Sequence, residues 1–230
     1  MRSLLLACAL LAWSSTALGT TCPVRAGDSE RLASVEGRVR LDWIEAHLAR
    51  TAHKARVWTW GWGVGIGVAT VGNLIPLAFV SPEYRIDWYT GAATTAIGVV
   101  PLLIAPLDVV ADSRELHAEV TASGETDVCR VLASAETRLE RDAKNQADGQ
   151  RWWLHAGNVV LNTAVGLFLG LGFHHWEAGI FNIVGGSVIG EAIILTQPTR
   201  TIGDFQQYRH GDIGESPPKS SLGLGYSQTF

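Results

Sequence analysis

Three stretches of this 230-residue chain contain no Asp, Glu, Lys or Arg over at least 20 residues, and any fold must find a place for them. They lie between Arg56 and Glu83, between Asp87 and Asp108, and between Arg151 and Glu177. A helix rises about 1.5 Å per residue, so about 20 apolar residues match the roughly 30 Å hydrocarbon core of a bilayer. Each stretch is therefore predicted to be a transmembrane helix. A fourth, AGIFNIVGGSVIGEAIILTQP at 178–198, is interrupted only by Glu191. Core helices of soluble proteins seldom stay uncharged over such lengths. Composition points the same way, since charged residues make up 17% of the chain against about 25% in ordinary soluble domains. The net charge of −4 offers no basic footing for a nucleic-acid partner.

The chain also repeats itself. LASVEGR at 32–38 returns as LASAETR at 132–138, and further matches follow in the same order. Arg56 and Trp58 correspond to Arg151 and Trp153; Trp88, Gly91 and Gly98 to Trp176, Gly179 and Gly186; Pro106 and Asp112 to Pro198 and Asp204. Matches in register predict a duplicated unit. Each copy reads as an amphipathic lead-in helix followed by two spans. The lead-in stripes are Leu32, Val35 and Val39 in the first copy and Leu132, Ala135 and Leu139 in the second. With two spans per unit both copies point the same way, as parallel repeats do.

Residues 1–19, MRSLLLACALLAWSSTALG, have the basic start, short apolar stretch and small-residue end of a cleaved secretory signal. Cys22 offers a lipoprotein signal as the rival, with Thr21 and Gly19 poorly suited to it. Cleavage after translocation puts 20–56, the 112–151 linker and the tail outside the cytoplasm. Those segments hold 7, 6 and 3 Lys and Arg, and the hairpin turns hold only Arg85. The positive-inside rule favours the opposite orientation. The signal is the stronger argument, because turns this short need little charge to stay inside. After cleavage Cys22 and Cys129 remain, each shortly before a lead-in helix; they either pair in an oxidising compartment or stay as two thiols.

Candidate site residues follow from spacing. Gly61 and Gly65, Gly63 and Gly67, and Gly186 and Gly190 lie four apart, the pattern that lets membrane helices approach closely within a chain or between copies. His155, Asn158 and Asn162 share one helical face, and Glu191 lies at the same depth as Asn158 if helix three starts near 152 and helix four ends near 197. An intramembrane acid is costly and marks either hydrogen-bonded helix packing or an ion path. His174, His175 and Glu177 in the second turn make too small a cluster to assign a metal. Trp58, Trp60, Trp88, Trp152, Trp153 and Trp176 flank the runs as interfacial anchors. No phosphate loop, nucleophile elbow, zinc-protease motif or dinucleotide fingerprint is present, so no enzyme activity and no cofactor are expected.

The expected protein is thus all-α and polytopic. It has a signal (1–19), an extracytoplasmic amphipathic helix (20–56), a first transmembrane hairpin (57–111), an extracytoplasmic linker with a second amphipathic helix (112–151), a second transmembrane hairpin (152–198) and a flexible polar tail (199–230). Its expected place is the inner membrane, with the lipid bilayer, further copies of itself or another membrane protein as partners. The expected role is structural or interactive; the alternative is a small transporter or channel using His155, Asn158, Asn162 and Glu191. The last residues, LGLGYSQTF, alternate like a strand that could add to a partner's sheet edge.

Overall fold

The computed structural model describes residues 21–104, 107–124 and 127–214. The expected signal, Pro106 of the repeat pattern and the tail beyond residue 214 lie outside them. All regular structure among the described residues is helical. In order these are α1 (Glu30–Ala33), α2 (Gly37–Leu74), α3 (Arg85–Ile104), α4 (Asp108–Ala122), α5 (Val128–Asp148), α6 (Trp152–Phe173), α7 (Trp176–Phe181), α8 (Ser187–Thr196) and α9 (Arg200–His210). One wide turn, Asn182–Gly186, joins α7 to α8 as a π bulge, so the two form a single rod.

Three helices are long and apolar enough to cross a membrane: Gly37–Ala78, Trp152–Phe173 and Trp176–His210. At most 17% of the most apolar stretch of each is buried inside the protein. Val64, Val68 and Val71 on α2, Val160, Phe168 and Leu171 on α6, and Ile180, Val188 and Leu195 on the last rod all face outward. Water would not tolerate so long an apolar surface, whereas lipid tails do.

A separate helical bundle stands at one end of these spans. The first half of α2 packs with α4 and α5, and α9 packs on α5 and α2. Its core contains Leu41, Ile44, Leu48, Leu116, Val131, Leu132, Leu139 and Tyr208. A disulfide between Cys22 and Cys129 ties the N-terminal segment to the start of α5. Gly211 ends α9 at φ 77°, where a Cβ would also stand 2.8 Å from the Leu32 backbone nitrogen. Only glycine satisfies both demands.

The first lead-in helix is not built as its stripe predicts. Leu32 belongs to the short α1, Val35 sits in the break after it, and Val39 is exposed. The apolar face of α2 starts instead at Leu41 and continues through Ile44, Leu48 and Ala52. The second copy, with Leu132, Ala135 and Leu139, is one buried face of α5. Gly37 accounts for part of the difference: it replaces the Thr137 of the second copy at the point where the helix must restart, and Gly is a poor residue to carry a helix through. The transition to membrane also differs. α2 passes from bundle to span without interruption, while α5 stops at Gly149 and α6 begins anew at Trp152.

Each half then folds back on itself. α2 ends where Pro76 enters a tight turn, and Pro82 opens the turn that starts α3. α6 ends at His174, held in the left-handed region at φ 63°, and this corner sets Trp176 over Gly170.

Candidate functional site

The second hairpin closes on a polar stripe. Asn158 donates to Glu191 Oε1 and to the Ser187 carbonyl, each at 2.9 Å. His155 Nδ1 lies 2.5 Å from Glu191 Oε2. Asn162 donates to the Asn158 carbonyl and side-chain oxygens, both at 2.9 Å. The four polar residues expected from the sequence therefore stand together, with both Glu191 oxygens engaged. Glu191 is six residues from Gln197, a depth of roughly 9 Å.

Gly186 and Gly190 are the seats of this stripe. A Cβ at Gly190 would fall 2.0 Å from Asn158 Oδ1, and one at Gly186 would fall 2.0 Å from Asn162 Oδ1. One turn deeper the backbones of Gly166 and Gly179 meet directly. The glycines of α2 behave differently. Around Gly61, Gly63, Gly65 and Gly67 an added Cβ would meet nothing within 4 Å.

The first hairpin has its own, weaker polar contacts. Asn73 rests on Gly91, and Thr70 donates to Thr95 at 2.9 Å. The two hairpins touch at both ends. Near the bundle Trp58 and Trp62 donate to Thr196 Oγ1 at 3.1 and 3.0 Å. At the turns His175 Nδ1 lies 2.7 Å from Asp87 Oδ1, with the Tyr84 ring against the imidazole. Between these contacts lies a cavity of about 1060 Å³.

Several polar groups were not anticipated. Arg40, fully buried, donates to Tyr208 Oη at 2.9 Å, to the Cys22 carbonyl at 3.0 Å and to Glu136. Tyr208 also donates to Glu136. Arg40 lies beside Leu41 and Ile44 on the buried face of α2, and Glu136 beside Ala135 and Leu139 on α5. A charge on an apolar stripe was the available signal. Asp142 on α5 is equally buried, and neither of its carboxylate oxygens has a hydrogen-bond partner. Burial, with the Asp112 carboxylate nearby, pushes its pKa up to about 8.

No group of three or more His, Cys, Asp or Glu is placed to hold a metal ion among the described residues. No protein-family model matches this chain, and neither does any curated protein or solved structure.

Proposed function

We propose that this is a four-span integral membrane protein whose role is structural or interactive, joining copies of itself or another membrane protein through the glycine face of α2. The observation that carries this reading is that face: Gly63 and Gly67 lie four apart on one side of α2, and an added Cβ at either would meet nothing within 4 Å, whereas Gly65 on the other side lines the cavity between the hairpins. In lipid, small residues in this arrangement let a second helix approach closely enough for backbone contact. The glycines of α8 have already found their partners inside the chain, so the contrast is internal.

Four crossings are supported by the connections. α3 delivers the chain to α4 and α8 delivers it to α9, and both arrive at the same bundle. α3 is the proposed fourth span. A duplicated unit is supported at the level of the bundle, where Asp112 and Asp204, which correspond in the repeat, are both buried. An extracytoplasmic bundle is supported by the Cys22–Cys129 bridge, since such bonds persist in oxidising compartments.

The second reading is a small transporter or channel centred on Glu191. What favours it is the assembled His155–Glu191–Asn158–Asn162 group. Against it, both carboxylate oxygens are spent on side chains of α6, the pattern of helix glue.

Two substitutions test the choice. In the full chain purified in mild detergent and crosslinked, the wild-type protein is expected to give higher-order species and Gly63→Leu with Gly67→Leu to abolish them. Unchanged stoichiometry and partners in that variant would overturn the interaction role. Glu191→Gln is expected to leave assembly intact, and loss of an ion flux in vesicles on that change would favour the second reading.

A further inference from the structure

The cavity between the hairpins has one chemistry along its walls and another at its mouth. At membrane depth its polar side chains are Asn73, Thr94, Thr95, Asn158, Asn162 and Asn182. Each already donates to a carbonyl or carboxylate of its own hairpin: Asn73 to Ala69, Thr94 to Thr90, Thr95 to Gly91, Asn182 to Ala178, and the two Asn of α6 as above. The surface left over is apolar, formed by Ile66, Ile97, Phe181 and Ile189 together with glycines.

At the turn end the lining changes to Ser81, Asp87 and Glu177. Asp87 is paired with His175, while Glu177 is exposed and has no ion-pair partner among the described residues. This end carries negative charge at the level of lipid head groups.

The occupant has to match these walls. An apolar surface at membrane depth is matched by acyl chains, and the cavity of about 1060 Å³ leaves room for them.

We infer that the cavity is a binding site for one membrane lipid of the aminophospholipid class, its chains lying between the hairpins and its ammonium group at Asp87 and Glu177. The site rests on the four-span reading above. Specificity comes from the mouth, because the carboxylates attract an ammonium and repel a head group of net negative charge. Bulk annular lipid has no such selection.

The test uses the full chain reconstituted in phosphatidylcholine vesicles. The probes are phosphatidylethanolamine and phosphatidylglycerol carrying the same photoreactive, alkyne-tagged chain. The expected result is adducts on the inward residues of α2, α3 and the last rod, with the ethanolamine lipid favoured about tenfold. Gly98→Phe, at a position where a Cβ meets nothing within 4 Å, fills the cavity and should lower those adducts about tenfold, leaving outward ones unchanged. Glu177→Gln, which leaves the Asp87–His175 contact in place, should weaken the head-group preference and keep chain labelling.

Adducts confined to outward residues such as Val68 and Phe79, or unchanged by Gly98→Phe, overturn the site. So do equal labelling by the two wild-type probes and crosslinks between copies through the cavity walls. If Gly98→Phe does not insert, the wild-type adduct map decides alone. Alkaline carbonate extraction separates the two levels: release of the protein sinks the membrane reading itself, whereas retention without cavity adducts sinks only the lipid.

Discussion

The ion pair between Arg40 and Glu136 is buried inside the helical bundle, where a lone charge is costly. Arg40 is fully buried and Glu136 nearly so, and with Tyr208 and the Cys22 carbonyl they join the N-terminal segment to α2, α5 and α9. Glu136→Ala leaves a guanidinium in the core without its counter-charge. Arg25, half-exposed and 3.6 Å from the other Glu136 oxygen, offers no substitute charge of the right sign. Breaking a buried pair from one side costs about 3–5 kcal/mol, enough to lower the melting point of a bundle this size by more than about 10 °C. Removing both charges, as Arg40→Met with Glu136→Leu, is expected to cost less than either single change, because no lone charge remains. The assay is hydrogen exchange of α5 and α9 peptides in the full chain, which reads the opening free energy of that unit without assuming that bundle and membrane helices unfold together. A Glu136→Ala loss below about 1 kcal/mol, or a double mutant as costly as the sum of the singles, would refute the reasoning.

Two further outcomes are expected. The Cys22–Cys129 bridge spans 107 residues of sequence, so replacing both by Ser should destabilise the bundle by about 3–5 kcal/mol on the chain-entropy account; free thiols that alkylate readily in protein isolated without reductant would contradict the bridge. Asp142, whose pKa is pushed up to about 8 by burial and by Asp112, binds its proton more tightly in the folded state than in the unfolded one, where the value is about 3.9. Stability is therefore complete below the unfolded value and falls as pH rises from about 4 through about 8. Asp142→Asn should remove that slope, and a melting point that depends on pH equally in both proteins would be inconsistent with it.

Much of the membrane half was legible because lipid imposes a simple rule on sequence. An uncharged run has to become a helix there, and the runs from Val57, Trp88 and Trp152 did. The polar stripe of α6 was legible for the same reason, since His155, Asn158 and Asn162 are too costly in lipid to face outward and their spacing leaves one face to share. The bundle was harder. Charges on its helices look like solvated residues until the partner helix is known, and Glu136 and Arg40 are 96 positions apart. The break after Ala33 was hidden by the repeat itself: a five-in-seven match suggests equal structure, yet of its two changes the one from Thr137 to Gly37 falls where the helix restarts. The cavity left no signal at all, because a void is a property of what two hairpins fail to fill.

That failure has a physical cause in how each hairpin spends its small and polar residues. In α6 and the last rod, Asn158, Asn162, Gly166, Gly179, Gly186 and Gly190 are all consumed in mutual contact. In α2 and α3, Asn73 and Gly91 are consumed likewise. Membrane helices associate where backbones can come close, so each hairpin is tightest within itself and has little left with which to grip the other. What faces the gap includes Gly65 and Gly98, whose missing side chains cannot cross it. Meanwhile Trp58 and Trp62 on Thr196 at one end, and Asp87 on His175 at the other, hold the walls at a set distance. Two hairpins pinned at both ends cannot close the space between them without breaking one of those contacts.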